Sequence, residues 1–164
     1  MNIRKGRIED IPTFEYLDDL CFPSWMRYSR YDFVYYFFKK DIFVLVAEDE
    51  DGIHGFIIAD LRTPEVGHII TIDIHPDYRR MKLGTDLIAE VEDIFRELGM
   101  KKVILEVHQD NLPAQLFYSN IGYRIEKQLK NYYHSGHGIL LGKSLELSDE
   151  RKGAMVVQTD YWRF

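Results

Sequence analysis

The sequence lacks several features that whole classes of protein require. Cys21 is its one cysteine among 164 residues, which excludes an intramolecular disulfide and a metal site built from several cysteines. No apolar run reaches the ~18–20 residues of a membrane-spanning helix. Residues 1–7 contain no apolar stretch typical of a secretory signal. We therefore predict a cytoplasmic protein without a membrane partner.

Basic residues are also in the minority. The chain has 21 lysines and arginines against 27 aspartates and glutamates, for a formal net charge of −6. A broad positive surface is not expected, so we predict no nucleic-acid partner. Hydrophobic residues make up 46% of the chain, which is ample for the core of one domain. We expect a monomer or a weak homo-oligomer.

Hydrophobic periodicity divides the chain into seven strands and four helices. Strands are expected at residues 2–5, 42–47, 53–61, 102–108, 123–129 and 138–147, with one more ending near residue 75. Helices are expected at residues 9–21, 29–40, 83–98 and 111–120. The order β-α-α-β-β-β-α-β-α-β-β predicts a mixed α/β (α+β) sheet domain over residues 1–147. Residues 148–164 are expected to be a C-terminal extension, either a packed strand or an oligomer or partner contact.

The stretch at residues 70–85 organises this pattern. Ile70, Ile72 and Ile74 alternate as one face of a buried strand should. From Leu83 onward the apolar residues recur at helical spacing. The basic loop between them lies where a helix presents unpaired N–H groups and the positive end of its dipole. This arrangement favours phosphate binding.

Two segments carry a family resemblance. Residues 79–84, Arg-Arg-Met-Lys-Leu-Gly, resemble the acetyl-CoA loop of the GNAT N-acetyltransferases, Gln/Arg-x-x-Gly-x-Gly/Ala, with Lys82 at the first glycine. Residues 105–123 resemble the second family signature, a strand, an asparagine, a helix ending in an aromatic-tyrosine pair, and Gly-Tyr. The resemblance covers roughly residues 2–147. It implies a GNAT fold, a mostly antiparallel sheet flanked by helices, whose parallel fourth and fifth strands splay to admit the pantetheine arm.

The resemblance implies acetyl-CoA as co-substrate and no metal. The residues that it places against CoA are Ile72, Asp73, Ile74, Arg79, Arg80, Met81, Lys82, Leu83, Gly84, Thr85, Asn111 and Tyr118. Asn111 is also suited to cap the following helix. His134 and His137 lack a third ligand at a recognisable spacing, so we expect no metal site there.

Within the family, the closest resemblance is to RimI-like and archaeal N-terminal (Nα) acetyltransferases, relatives of the NatA and NatE catalytic subunits. Phe22-Pro23 would shape the pocket for the first residue of the substrate, and Tyr132-Tyr133 would close over the peptide backbone. Ser24 follows Pro23 where many members carry an acidic residue, which allows an apolar first residue such as methionine. His68 and Glu106 resemble the archaeal pair of base candidates.

Each catalytic candidate also has a structural interpretation. Glu106, the preferred base, could instead be a solvent-facing glutamate on an edge strand. His68, the second base candidate, could be a surface histidine after a turn. Tyr118 would protonate or hydrogen-bond the departing CoA sulfur, or it could only pack its helix against the sheet. The residues alone leave these alternatives open.

Three functions remain open from the sequence. The first is acetyl transfer by direct attack to the α-amino group of protein or peptide N-termini, with ribosome or nascent-chain association. The second is acetylation of a lysine or a small amine. The third is a degenerate CoA-binding module, suggested by Lys82 in the glycine position. A peptide α-amine has a pKa of about 7.7–8.0, whereas the lysine side chain has a pKa of about 10.4. A weak base therefore suffices to deprotonate the α-amine.

Overall fold

The computed structural model describes residues 1–146, and the predicted elements appear in the predicted order. They are β1 (Asn2–Lys5), α1 (Ile11–Cys21), α2 (Arg30–Phe38), β2 (Ile42–Asp49), β3 (Gly52–Thr63), β4 (Val66–Ile74), α3 (Leu83–Glu97), β5 (Lys102–His108), α4 (Leu112–Asn120), β6 (Arg124–Tyr133) and β7 (Gly136–Ser144). The predicted extension at residues 148–164 lies outside the described residues. Across residues 1–146, no helix combines the length and apolarity needed to cross a membrane.

The strands form one seven-stranded sheet in the order β1-β2-β3-β4-β5-β7-β6. Neighbouring strands are antiparallel except β4 and β5, which are parallel. The parallel pairing joins Val66–His68 only to Lys102–Ile104, after which the two strands separate. The predicted mixed α/β sheet with splayed fourth and fifth strands is therefore confirmed.

Helices cover both faces of the sheet. On one face α3 buries a stripe that includes Leu87, Val91 and Phe95. On the other, α1 and α2 enclose an aromatic cluster in which the ring centroids of Phe14 and Phe56 lie 4.3 Å apart. Burial of a side chain of this size stabilises the fold by about 1.5–3 kcal/mol. The sheet is thus the middle layer between two separate hydrophobic cores.

The predicted alternation of three isoleucines along β4 is wrong at Ile70, because the strand contains a β-bulge. Thr71 pairs with Ile58 and Ile69 pairs with Ala59, so Ile70 is an extra residue in the ladder. Ile72 and Ile74 pack toward the α3 core, whereas Ile70 packs toward the α1 and α2 core. The bulge brings side chains five positions apart, those of His68 and Asp73, to the same face.

Gly67 of β4 allows α3 to approach the sheet closely. A Cβ atom at this position would lie 2.3 Å from the Phe95 ring. Phe95 is fully buried and packs edge-on against Phe43, with ring centroids 5.9 Å apart. Because the ring is enclosed on α3, it has little room to move away.

Gly67→Ala should lower the free energy of unfolding by about 1–3 kcal/mol, because the added methyl group overpacks this contact. Denaturant unfolding measures the loss. Phe95→Leu removes ring atoms at the contact, so the double variant should lose less than the sum of the two single losses. Additive losses would show that Gly67 serves some purpose other than this close approach.

Candidate active site

A cleft of about 1360 Å³ opens where β4 and β5 separate. It extends from the basic loop and α4 at one end to the loop after α1, α2 and the end of β6 at the other. The residues predicted from sequence that line it are Phe22, His68, Ile72, Ile74, Arg79, Arg80, Lys82, Leu83, Gly84, Thr85, Glu106, Asn111, Tyr118, Tyr132 and Tyr133. One cavity therefore joins segments that are far apart in sequence.

Three other predicted site residues do not line the cleft. Pro23 is exposed, and its carbonyl oxygen accepts a 2.9 Å hydrogen bond from the Met26 N–H within the turn after α1. Met81, on the basic loop, is 57% exposed and is not part of the cleft lining. Asp73 is completely buried on the face covered by α1, because the bulge in β4 sets its direction. Their side chains therefore lie outside the walls of the cleft.

The basic loop has the backbone conformation that glycine would normally supply. Arg80 and Lys82 have φ values of 64° and 66°, in the left-handed region that costs a non-glycine residue about 1–2 kcal/mol. Lys82 immediately precedes α3, and Leu83, Gly84 and Thr85 line the cleft. The first N–H groups of a helix lack intrahelical partners. With the cations beside them, they can hold a phosphate group, as the CoA pyrophosphate requires.

His68 and Glu106 face each other across the opening between β4 and β5. The Nε2 atom of His68 lies 2.6 Å from a carboxylate oxygen of Glu106. His68 is only 5% exposed, so it is not a surface histidine. Glu106 belongs to the central strand β5, so the edge-strand alternative is wrong. The structure brings together the two residues that the sequence proposed as bases.

A set of charged side chains surrounds this pair. The Nδ1 atom of His68 lies 3.1 Å from a carboxylate oxygen of Asp60 and 2.5 Å from the guanidinium of Arg62. Asp60 is also bonded to the ammonium group of Lys39. Asp60, Arg62 and Lys39 were not singled out from the sequence, because they come from separate positions whose proximity depends on sheet register.

The charges decide the protonation states of the network. Burial would raise the pKa of Asp60, but His68 and Lys39 outweigh it and lower the pKa to about 2. Burial would lower the pKa of His68, but its hydrogen bonds to Asp60 and Glu106 outweigh burial and raise it. A raised pKa favours the protonated imidazole, which cannot accept another proton. Glu106 is therefore the better placed acceptor of the two.

Tyr118 lines the cleft from α4 and lies near the sheet. Burial raises its pKa to well above the ordinary value for tyrosine, so the hydroxyl keeps its proton. Such a group is a hydrogen-bond donor rather than a strong acid. The Asn111 side chain, at the start of the same helix, accepts a 3.2 Å hydrogen bond from the Ala114 N–H. It caps α4 and also lines the cleft.

Comparison with known proteins identifies this arrangement. The Acetyltransferase (GNAT) family profile matches residues 11–123. The chain belongs to the GNAT acetyltransferase family. An N-alpha-acetyltransferase of Sulfurisphaera tokodaii is 27% identical over 151 residues, covering 85% of this chain and 89% of the relative. N-alpha-acetyltransferase 30 of Schizosaccharomyces pombe is 30% identical over 132 residues, covering 76% of this chain and 88% of the relative.

The same fold is present in a solved structure. The crystal structure of Ard1 from Thermoplasma volcanium matches this acetyltransferase with a TM-score of 0.81 at 23% identity, covering 89% of this chain and 98% of that chain. The predicted GNAT fold and the prediction of an acetyl-CoA-dependent N-acetyltransferase are confirmed. In GNAT enzymes acetyl-CoA is the acetyl donor, and the basic loop and the opening of the sheet have the features needed to hold it.

Aromatic side chains line the end of the acetyltransferase cleft that lies away from the basic loop. Trp25, Tyr133 and His108 form one cluster, in which Trp25 lies 5.7 Å from His108 and His108 lies 5.3 Å from Tyr133 between ring centroids. Tyr132 is about half exposed beside them. The sequence indicated the two tyrosines but not Trp25, whose position depends on the turn after α1.

Two buried carboxyl groups connect α1 to β4 beneath this end of the cleft. Asp18 and Asp73 lie within hydrogen-bond reach of each other. One oxygen of each, Oδ1 of Asp18 and Oδ2 of Asp73, has no hydrogen-bond partner within residues 1–146. Burial raises the pKa of both, that of Asp73 well above its usual range, and so favours a proton shared by the pair. The second oxygen of Asp18 accepts the N–H of Tyr28 at 2.8 Å and closes the loop after α1.

The backbone of the basic loop can be tested with two substitutions at Lys82. Lys82→Gly and Lys82→Ala both remove the charge, but only glycine adopts φ 66° without strain. The glycine variant should resist denaturant better than the alanine variant by about 1 kcal/mol. Both should weaken CoA binding, measured by calorimetry, by a similar factor that shrinks at high salt. Equal stability of the two variants would contradict the assigned strain.

The buried carboxyl pair should make stability depend on pH. A folded-state pKa above that of the unfolded chain gives stability that is complete below about pH 4 and is lost as pH rises. Asp73→Asn can still accept from Thr71, and its amide can donate to Asp18 at any pH. Above about pH 4 the wild type should lose stability as pH rises, whereas Asp73→Asn should not lose this contribution. The difference in free energy of unfolding should therefore grow in favour of the variant by up to about 1.4 kcal/mol per pH unit.

Denaturant unfolding at several pH values measures this difference. Asp51→Asn, the same change on an exposed carboxylate in the β2–β3 turn, is the control and should show little of the trend. If Asp73→Asn and wild type change in parallel with pH, the pair does not share a proton.

Proposed function

We propose that this acetyltransferase transfers the acetyl group of acetyl-CoA to the α-amino group of protein or peptide N-termini. The observation that carries the proposal is the Glu106–His68 pair, which lines the same cleft as the basic loop and the aromatic side chains. The two relatives named N-alpha-acetyltransferases support it, since each aligns with at least three quarters of this chain.

The strength of the available base favours an α-amine as the substrate. An amine attacks only in its neutral form. Near neutral pH, deprotonation costs on the order of 1 kcal/mol for an α-amine and roughly 4 kcal/mol for a lysine, at 1.36 kcal/mol per pKa unit. A carboxylate is a weak base, so Glu106 is matched to the smaller of these costs.

The proposed reaction is a direct attack. The neutral α-nitrogen forms a bond to the thioester carbonyl carbon while its proton passes to Glu106, directly or through one water molecule. The C–S bond then breaks, and its electron pair remains on the CoA sulfur. The Tyr118 hydroxyl donates a hydrogen bond to this thiolate. The thiolate takes up a proton from solvent, and Glu106 returns its proton to solvent.

Cys21 lines the same cleft, but its environment disfavours a covalent acetyl-cysteine intermediate. Burial, with a contribution from Asp73, raises the pKa of the Cys21 thiol, so little of it is the nucleophilic thiolate. Its Sγ atom instead lies 3.4 Å from the carbonyl oxygen of Ile74, to which the thiol can donate. Direct transfer from CoA to the amine avoids this poor nucleophile.

The conformation of Lys82 also removes the reason for proposing a degenerate module. The residue in the glycine position adopts the left-handed conformation that a glycine would provide. The proposal further includes association with ribosomes or nascent chains and a cytoplasmic location. The division into an acetyltransferase domain at residues 1–147 and an extension at residues 148–164 is also retained as a prediction.

Glu106→Gln combined with His68→Ala should lower kcat on short peptides by about 10²–10⁴-fold, because the proton acceptor is lost. CoA affinity should change little, because neither side chain belongs to the basic loop. Raising the pH above about 8 should recover part of the rate, since the α-amine then loses its proton without a base. Steady-state kinetics and CoA calorimetry measure both effects.

Glu97→Gln, on the exposed surface of α3, is the matched control and should keep the wild-type rate. A near-normal rate in the double variant would show that the bases are misassigned. Wild-type turnover on peptides with a blocked α-amine and a free lysine would contradict the proposed substrate.

A further inference from the structure

Glu92 is a buried carboxylate on α3 that takes no part in the proposed reaction. Its oxygens accept hydrogen bonds from the ammonium group of Lys143 on β7 at 2.7 and 2.9 Å and from the hydroxyl of Tyr123 at 3.0 Å. The guanidinium of Arg96 adds a third partner at 3.3 Å. A carboxylate that is only 3% exposed is tolerated because such partners replace its hydration. The network joins α3, β7 and the segment between α4 and β6.

Tyr123 connects this network to the proposed hydrogen-bond donor, Tyr118. The two rings pack edge to face, with centroids 5.5 Å apart and planes at 67°. The Tyr123 N–H also donates a 3.0 Å hydrogen bond to the Tyr118 carbonyl oxygen. Burial and the neighbouring Glu92 raise the pKa of Tyr123, so its hydroxyl keeps the proton that it donates to Glu92. One end of the Tyr123 side chain is therefore fixed at Glu92, while its ring supports Tyr118.

A second contact attaches α4 to α3 near the start of α3. A Cβ atom at Gly84 would lie 3.3 Å from the Phe117 ring, so helix and ring are in close contact there. The Phe117 ring in turn lies 5.1 Å from the Tyr118 ring between centroids. Gly84 and Glu92 are about 12 Å apart along the axis of α3. Tyr118 is thus held, through Phe117 and Tyr123, at two places on one helix.

The cofactor makes this attachment important for the reaction. In the proposed function the CoA pyrophosphate binds at the first turn of α3, and the CoA sulfur must reach the Tyr118 hydroxyl. The pantetheine arm that joins these two groups has a limited covalent length. A shift of Tyr118 relative to α3 would leave its hydroxyl at the wrong distance from the sulfur. Misplacement by about 1 Å is enough to slow a reaction by up to about 10²-fold.

We propose that Tyr123 is a positioning residue for acetyl transfer. Its hydrogen bond to Glu92 fixes the Tyr118 hydroxyl at the distance from the pyrophosphate site that the CoA sulfur requires. This inference rests on the role of Tyr118 in the proposed function. Neither Tyr123 nor Glu92 lines the cleft, so both act through Tyr118 rather than by touching the reacting atoms.

A double-variant cycle of Tyr123→Phe and Tyr118→Phe tests this coupling. Tyr118→Phe should lower kcat about 10–100-fold, as expected for the loss of a hydrogen bond to a charged sulfur. Tyr123→Phe should lower kcat about three- to tenfold, with little change in the KM for acetyl-CoA, because the basic loop is intact. In the Tyr118→Phe background, Tyr123→Phe should have little further effect on kcat. An equal loss in both backgrounds would overturn the proposal.

Two substitutions at Glu92 separate the hydrogen bond from the packing. Glu92→Gln keeps an acceptor oxygen for the Tyr123 hydroxyl and should keep most of the rate. Glu92→Leu removes the acceptor and should lose as much kcat as Tyr123→Phe. Tyr31→Phe, on an 86% exposed tyrosine of α2, is the control for loss of a hydroxyl and should keep the wild-type rate. Equal rates in the two Glu92 variants would contradict the role of the hydrogen bond. Denaturant unfolding verifies that each variant is folded under the assay conditions.

The ionisation of the bound CoA thiol tests the same link without an amine substrate. A hydrogen bond from Tyr118 favours the thiolate and lowers the pKa of the thiol. The ultraviolet absorbance of the thiolate should show this pKa raised by about one to two units in Tyr118→Phe and by about half a unit to one unit in Tyr123→Phe.

The two readouts separate failure of this inference from failure of the proposed function. If no peptide is turned over, the proposed function fails, and the thiol pKa still decides the role of Tyr123. A shift in Tyr118→Phe without one in Tyr123→Phe would overturn the positioning role alone. No shift in either variant would overturn both this role and that of Tyr118.

Discussion

The separation of β4 from β5 after His68 and Ile104 is the constraint on which the rest of the structure depends. Unpaired backbone groups are costly when buried, so a sheet opens only if each strand keeps a partner. β4 remains paired with β3 as far as Ile74, and β5 remains paired with β7 as far as His108. The facing edges can then pair with the amides of an inserted ligand. The opening also provides a place where groups from both faces of the sheet can meet.

The bulge in β4 determines what faces that opening. Without the extra residue at Ile70, the side chains of His68 and Asp73 would point to opposite faces of the sheet. With it, His68 joins Asp60 and Glu106 on the face covered by α1 and α2, where burial strengthens their mutual interactions. A local irregularity in one strand therefore sets up both the candidate base and the buried carboxyl pair.

The sequence predicted those parts of the molecule that are encoded locally. The periodicity placed the elements, and short motifs indicated the basic loop, Asn111 and Tyr118. It failed where neighbouring strands decide the outcome. The bulge left no signal because Ile69 and Ile70 are both apolar, and the direction of Asp73 depends on it. Asp60 and Arg62 lie beside His68 only because of the register of β3 against β4, and apolar alternation in the sequence does not reveal this register.

The two faces of the opening must also be held at a fixed distance, and Asp18 and Asp73 contribute to this. Asp18 accepts a hydrogen bond from the backbone of the loop after α1, and this loop carries Phe22 and Trp25. Asp73 belongs to β4, the strand that faces the CoA end of the cleft. A proton shared between them would join these parts without leaving a charge on both buried groups. An apolar pair could fill the same space, but it could not also fix the Tyr28 N–H. The carboxyl pair therefore couples the substrate end of the cleft to the strand that the cofactor is expected to contact.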